Sequence, residues 1–193
     1  MKKHLFLTGP SGVGKTTLLH EELGWMLQTA GGLATVREKD SSGRVLGYDL
    51  LPAAALGGVA GYTPLRFLDY SVDPPARDNE VFRSEGVRLL NEARYYNFAL
   101  LDEIGGYELL IPEFRHALEE LLNSETPVIG VLKSRENAAA LSRRFSLGSK
   151  FDLQLAQLHS ALGQDEDTVI LTMTQPGDPI CRSVVAQWVR EYV

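Results

Sequence analysis

The chain has 193 residues, 44% hydrophobic and 23% charged, which is ordinary for a globular protein and enough for one domain with a full core. Its formal net charge of −6 gives no general attraction to nucleic acid or to an anionic membrane, so neither is an expected partner. The single cysteine, Cys181, excludes an internal disulfide and a cysteine-rich zinc site. We therefore expect one domain, residues 1–193, in a reducing, cytoplasmic setting.

Two stretches superficially resemble targeting segments. The start, MKKHLFLTG, has the charged beginning of a signal peptide, but its apolar run is too short and leads straight into a glycine-rich loop. The weakly polar stretch LLPAAALGGVAGY is broken by proline and glycines and is too short to span a bilayer. We expect neither cleavage nor membrane insertion.

The glycine-rich loop GPSGVGKTT has the chemistry of a phosphate-binding loop. Gly9, four further residues, and then Gly14, Lys15 and Thr16 fit the Walker A pattern in full. Glycines allow backbone conformations in which successive N–H groups turn inward around an anion. The Lys15 ammonium can reach the outer phosphates, and the Thr16 hydroxyl can ligate Mg²⁺. The residues predicted to bind nucleotide are Gly9, Pro10, Ser11, Gly12, Val13, Gly14, Lys15, Thr16 and Thr17.

The elements around this loop are predicted from hydrophobic periodicity. The apolar run from His4 to Thr8 predicts a buried strand. A helix is predicted after the loop, with one apolar side formed by Leu19, Leu23, Met26, Leu27 and Ala30. The segments GLATVRE and RVLGYDLL, separated by KDSSG, predict a β-hairpin. Loops are expected from Pro52 to Pro64 and in DPPARDN at 73–79.

Helices and strands alternate in the rest of the chain. Helices are predicted from Glu80 to Tyr96, from Pro112 onward, from Asn137 to Phe145 and from Ile180 to Tyr192. Buried strands are predicted at FALLDE, PVIGVL and TVILTMT. This alternation predicts an α/β fold, with a mostly parallel sheet, helices on both faces and the hairpin as an antiparallel insertion. The order of the strands does not follow from one sequence.

The FALLDE strand, residues 98–103, ends in two acids that are unfavourable in a core but useful at an edge facing phosphate. Taken alone, such an ending is also typical of an ordinary acidic turn. Beside a phosphate loop, Asp102 suits the support of Mg²⁺ opposite Thr16, so we expect this strand to lie close to the first one. Glu103 can orient and deprotonate a water in line with the terminal phosphate. The predicted catalytic residues are Glu103 and Lys15, and the predicted metal ligands are Thr16 and Asp102.

The motifs FLTGPSGVGKTTL and LLDEIGGYELL resemble those of the THEP-type nucleoside-triphosphatases, also called cancer-related nucleoside triphosphatases. In that family an Asp-Glu-Ile-Gly segment is followed two residues later by Glu-Leu, as at Asp102 to Gly105 and Glu108 to Leu109 here. The resemblance implies a RecA-like P-loop fold and slow, Mg²⁺-dependent hydrolysis of several nucleoside triphosphates. It implies phosphate and metal binding by Lys15 and Thr16, metal support by Asp102 and water activation by Glu103.

The resemblance weakens in places. The family usually has a lysine and a methionine where this chain has Gly106 and Tyr107, and a glycine where it has Leu68. From Ser134 onward no convincing match to the family's basic segment remains, so the resemblance assigns no arginine to the site.

Several residues have both a functional and a purely structural interpretation. An arginine finger and a solvated helix face are alternatives for Arg135, Arg143 and Arg144. Lys133 can sense the nucleotide or cap a loop, and Glu108 can touch substrate or shape the acidic loop. Packing is the default for Tyr62 and Tyr70, with base stacking as the alternative. The four histidines show no metal-ligand spacing: His4, His20, His116 and His159.

These motifs favour a Mg²⁺-dependent hydrolase that converts nucleoside triphosphates, such as ATP and GTP, to the diphosphate and phosphate. One alternative is a kinase that transfers the phosphoryl group to a nucleotide or another small acceptor, which requires an acceptor pocket that excludes water. The other is a switch whose slow turnover controls binding to a protein partner. No side chain is assigned to reading a base.

Overall fold

The structure, a computed structural model, describes all residues from 1 to 193. A mixed eight-stranded sheet forms the centre of the protein. Its order is β5-β4-β3-β2-β6-β7-β1-β8, in which β2, β6, β7, β1 and β8 pair in parallel while β3, β4 and β5 continue antiparallel from β2. The strands are β1 His4–Thr8, β2 Gly31–Lys39, β3 Val45–Pro52, β4 Leu65–Asp69, β5 Ala76–Arg77, β6 Ala99–Ile104, β7 Val128–Leu132 and β8 Thr168–Thr172.

Seven α-helices surround this sheet. They are α1 Lys15–Leu23, α2 Asn79–Val81, α3 Val87–Ala93, α4 Pro112–Leu122, α5 Arg135–Phe145, α6 Gly148–Gln164 and α7 Pro179–Tyr192. A π-helical turn, Phe82–Gly86, joins α2 to α3. Three 3₁₀ turns lie at Gly24–Thr29, Ala53–Gly57 and Tyr107–Leu110. None of the helices is both long and apolar enough to cross a membrane.

The core lies on both faces of the sheet because the side chains of a strand alternate between its two faces. On β1, Leu5 and Leu7 face α1 and α7 in a cluster that contains Trp188, while Phe6 faces the opposite cluster with Phe114 of α4. These apolar residues are fully buried, which fixes the register of the central strands. The carboxyl ends of β1, β6 and β7 therefore meet at one edge.

The predicted fold class is confirmed, with differences in detail. The first hairpin strand, β2, belongs to the parallel part of the sheet, and two further strands, β4 and β5, were not predicted. Strand β7 separates β6 from β1, so the FALLDE strand is near the first strand but not next to it. Helix α1 ends at Leu23 because Gly24 has a positive φ of 53°, and the predicted apolar side continues through a 3₁₀ turn.

Candidate active site

The phosphate loop, Gly9–Thr17, connects β1 to α1 and takes a shape that depends on glycine. Gly9 has φ 130°, and a Cβ atom there would lie 2.2 Å from the carbonyl oxygen of Met173. Gly14 caps the helix in the left-handed conformation at φ 95°. Other residues adopt such φ values at a cost, so the loop shape follows directly from its glycines. The resulting loop presents the N-terminus of α1, a ready-made anion site.

Lys15 folds back over this loop. Its ammonium donates to the carbonyl oxygens of Gly9 at 3.0 Å and Pro10 at 2.7 Å, and the residue is buried. Burial lowers the pKa of Lys15, and the nearby Glu103 carboxylate opposes that effect. A buried ammonium held by two neutral carbonyls has no anionic partner, which fits a role in binding phosphate.

Asp102, on β6, meets Thr16, on α1, although β7 lies between β6 and the strand that leads into the phosphate loop. The Thr16 hydroxyl donates to Asp102 Oδ1 at 2.9 Å, and Asp102 is only 3% exposed. Burial raises the pKa of Asp102 to about 7, against the hydrogen bond from Thr16, and no basic side chain forms an ion pair with it. A buried carboxylate beside a hydroxyl fits Mg²⁺, which prefers oxygen ligands and needs few of them from the protein. Thr16 and Asp102 are thus the side chains that would hold the metal.

Glu103 is held by a lysine from the next strand. The Lys133 ammonium lies 2.5 Å from Glu103 Oε2, and both side chains are partly exposed. Lys133 follows β7, where its backbone N–H donates to the Ile104 carbonyl at 2.8 Å. The other carboxylate oxygen, Oε1, accepts no hydrogen bond from the protein. Oε1 is therefore available to a water molecule.

Glu108 shapes the acidic loop, which we define as residues 102–108. Its Oε1 accepts hydrogen bonds from the backbone N–H groups of Gly105 at 2.8 Å and Gly106 at 2.7 Å. Burial raises the pKa of Glu108, while these two N–H donors oppose that effect. The contacts correspond to the shaping alternative of the sequence analysis. Next to it, the Tyr107 hydroxyl lies 2.9 Å from the carbonyl oxygen of Phe67, which ties the acidic loop to β4.

A cavity of about 300 Å³ opens beside the two loops. Its lining includes Ser11, Glu103 and Lys133 together with several aromatic residues. Arg144 reaches this cavity, Arg135 lines a separate cleft beside Gly9, and Arg143 lines neither. Tyr70 lines the cavity, whereas Tyr62 is exposed elsewhere.

Sequence reasoning missed three parts of this arrangement. It left the role of Lys133 open, and the pairing with Glu103 depends on the adjacency of β6 and β7. It did not single out Arg37 or Tyr48, because the strands that carry them were predicted only as an antiparallel hairpin insertion, with no place in the strand order. No local pattern marks these two residues. Only the sheet order brings them to the cavity.

Comparisons with known proteins agree with this geometry. A sequence model of the family described as NTPase matches residues 4–157. The chain is 37% identical over 130 residues to the nucleoside-triphosphatase THEP1 of Thermotoga petrophila, and the aligned region covers 67% of this chain and 71% of that protein. It is 31% identical over 147 residues to the human cancer-related nucleoside-triphosphatase, which covers 67% and 74%.

The crystal structure of THEP1 from the hyperthermophile Aquifex aeolicus shares the fold at a TM-score of 0.60 and 16% identity, and the match covers 96% of this chain and 98% of that one. At this identity the structural match concerns the fold alone. Membership of the family rests on the sequence matches, which confirm the resemblance noted from the two motifs. The chain belongs to the NTPase family that includes the THEP1 nucleoside-triphosphatases.

Proposed function

We propose that this protein is a Mg²⁺-dependent nucleoside-triphosphatase that hydrolyses ATP, GTP and other nucleoside triphosphates to the diphosphate and phosphate. The observation that carries the mechanism is the placement of Glu103. Its carboxylate follows Asp102 at the strand end, with Oε2 held by Lys133 and Oε1 without a partner in the protein. Family membership supports the same activity, since the relatives are named nucleoside-triphosphatases.

The chemistry follows from these groups. Glu103 Oε1 accepts a proton from water, the water oxygen bonds to the terminal phosphorus, and the bond to the bridging oxygen of the diphosphate breaks. Lys15 and the N–H groups of the phosphate loop stabilise the charge that develops on the phosphoryl group. Thr16 and Asp102 would hold Mg²⁺, which would supply positive charge to neutralise the outer phosphates.

The substrate range follows from what the loop contacts. Residues 9–17 offer backbone N–H groups, an ammonium and hydroxyls, all of which recognise phosphate and none of which reads a base. We therefore propose activity on several triphosphates. The single cysteine, Cys181, is buried, and we place the protein in the cytoplasm.

The test is phosphate release from ATP, GTP, CTP and UTP, with Mg²⁺ and with a chelator in its place. We expect Glu103→Gln to keep triphosphate affinity and to lose about 10²- to 10⁴-fold in turnover. Lys15→Ala should weaken binding as well. The matched control is Glu119→Gln, at an exposed carboxylate on α4. Unchanged turnover in Glu103→Gln would show that Glu103 takes no part in the mechanism. Phosphate release that persists with the chelator would show that hydrolysis does not depend on Mg²⁺.

A further inference from the structure

The 300 Å³ cavity lies beyond the position of the terminal phosphate. A phosphate loop holds the inner phosphates at the N-terminus of its helix and the outer ones at its lysine. The nucleoside is attached to the inner phosphates, and Glu103, which we place beside the terminal phosphate, stands at the other end of the triphosphate. The cavity adjoins that position, because Ser11 and Glu103 are among the residues that line it. Its volume is at the lower end of the range for small-molecule sites.

The aromatic part of the cavity lining, which we call the aromatic wall, is closely packed. Phe67 and Phe82 have ring centroids 4.8 Å apart, and Phe82 and Tyr107 have centroids 5.6 Å apart, both in edge-on geometry. Tyr48 and Tyr70 complete the wall in a third edge-on pair at 6.1 Å. Interlocked rings lose little freedom when a ligand binds, so they suit a planar ring.

Two arginines reach the cavity without an acidic partner. The Arg144 guanidinium lies 4.0 Å from the centre of the Tyr70 ring, and that of Arg37 lies 5.5 Å from the centre of the Tyr48 ring. Neither forms an ion pair with a carboxylate, whereas Arg66 on β4 pairs with Asp49 and Glu38.

Each acidic side chain of the cavity has a polar partner within the protein, although Glu103 Oε1 stays free. Lys133 pairs with Glu103, and Glu108 accepts two backbone hydrogen bonds. The two guanidinium groups are therefore the charges left to meet a ligand. Guanidinium is the side-chain group best suited to phosphate and carboxylate, and it also stacks on planar rings.

We propose that this cavity is a second small-molecule site that takes a nucleoside monophosphate, with the base against the aromatic wall and the phosphate on Arg37 and Arg144. A ligand seated there covers the approach to Glu103 and displaces the attacking water, so phosphate release falls. The effect on release rests on the proposed hydrolytic function. Binding itself does not.

Binding of the monophosphate can be measured separately from its effect on phosphate release. The phosphate loop is first saturated with Mg²⁺ and a β,γ-methylene analogue of ATP, which is not hydrolysed. Binding of AMP, GMP, CMP and UMP is then measured by titration calorimetry, with adenosine and inorganic phosphate as probes of the ring and the anion alone. We expect at least one monophosphate to bind, and both adenosine and inorganic phosphate to bind more weakly than it does.

The variants Arg144→Ala and Arg37→Ala, on separate elements, should each weaken that binding about tenfold or more. Arg143→Ala is the matched control, because Arg143 neighbours Arg144 on α5 and does not line the cavity. In ATP hydrolysis, the same monophosphate should lower phosphate release in the wild type and less in Arg144→Ala.

The outcomes discriminate clearly. Appearance of GDP, CDP or UDP during ATP hydrolysis with GMP, CMP or UMP supports the site too, because hydrolysis of ATP alone yields only ADP, and a bound monophosphate is then within reach of the terminal phosphate. The proposal is overturned if no monophosphate binds the saturated protein, or if Arg144→Ala and Arg37→Ala bind as tightly as Arg143→Ala. Loss of hydrolysis in Glu103→Gln leaves this result intact, because the calorimetry involves no turnover.

Discussion

The phosphate loop and the acidic loop lie at the same edge of the sheet but are held in different ways. The phosphate loop takes its shape from its own glycines, with Gly9 and Gly14 at positive φ. The acidic loop is held by side chains, Glu108 from within it and Lys133 from the end of β7. One loop is determined by contiguous residues. The other depends on a contact across 30 positions of sequence.

Among the variants that change the shape or support of the two loops, the largest effect is expected from Gly9→Ala, which breaks the backbone-determined loop. The new Cβ would lie 2.2 Å from the carbonyl oxygen of Met173, and since both atoms belong to backbone-fixed segments the loop must shift. A displacement of about 1 Å at such a site costs about 10²-fold in activity. Triphosphate binding and phosphate release measure the loss.

Gly163→Ala is the control for that variant, because its Cβ meets nothing within 4 Å and lies in helix α6. It should leave activity unchanged and raise helix stability slightly. Circular dichroism melting of both variants separates a misplaced loop from an unfolded protein. Wild-type binding by a folded Gly9→Ala protein would contradict the role assigned to this glycine.

A smaller effect is expected from Glu108→Ala, which breaks the side-chain-determined loop. Removing the carboxylate leaves the buried N–H groups of Gly105 and Gly106 without an acceptor, at a cost of about 1–3 kcal/mol each. The acidic loop then no longer fixes Asp102 and Glu103, and turnover should fall about 10- to 100-fold.

Glu108→Gln keeps an oxygen for the same two donors and removes the charge. It should fold and turn over nearly as the wild type does. Denaturant unfolding and steady-state kinetics on the two variants check this. Equal losses in both would mean that the charge of Glu108 matters, and its place as a shaping residue would be wrong.

A smaller loss of turnover than that of Glu108→Ala is expected for Lys133→Met, which removes the contact between the ends of β6 and β7. Glu103 keeps its backbone position but loses the partner of Oε2, so kcat should fall about tenfold. The KM for triphosphate should change little if Lys133 acts through Glu103. Lys150→Met, at an exposed lysine, is the control. A rise in KM with kcat unchanged would assign Lys133 to phosphate binding.

The contrast between the loops explains how much could be predicted. The phosphate loop and the Asp-Glu pair were found because each has its chemistry in adjacent residues. The positions of β1, β6, β7 and β8 followed from apolar runs, and Pro112 marked the first residue of α4. Helix α6 was missed although Phe151, Leu155 and Leu162 recur on its buried side, a periodicity that was available in the sequence.

Other parts lay beyond sequence reasoning for a physical reason. The pairing of Lys133 with Glu103 and the meeting of Arg37 with Arg144 at one cavity depend on which strands are neighbours. Strand order is decided by the packing of the whole core on both faces of the sheet, and no local pattern encodes it. Residues that act across strands are therefore found only in the folded chain.

The smallest effect is expected at the opposite end of the sheet, where a buried polar side chain is far from both loops. His4 Nε2 donates to the Leu122 carbonyl at 3.0 Å, and Nδ1 accepts from the Val128 N–H at 3.2 Å. These contacts require the neutral ring, and burial, aided by Lys3, lowers the pKa of His4 below its usual 6.5.

The sign of the pH dependence follows from that direction. Below pH 6.5 the unfolded chain binds a proton at this position before the folded chain does, so the free energy of unfolding falls as the pH falls. Denaturant unfolding at pH 7.5 and 5.5 should show this loss, and His4→Gln should reduce it, while the exposed His116→Gln serves as control. His20 and His159, whose pKa values burial also lowers, leave a residual slope. Because His4 touches neither loop, kcat at pH 7.5 should be the same in all three proteins, and a change in His4→Gln would show that the two ends of the sheet are coupled.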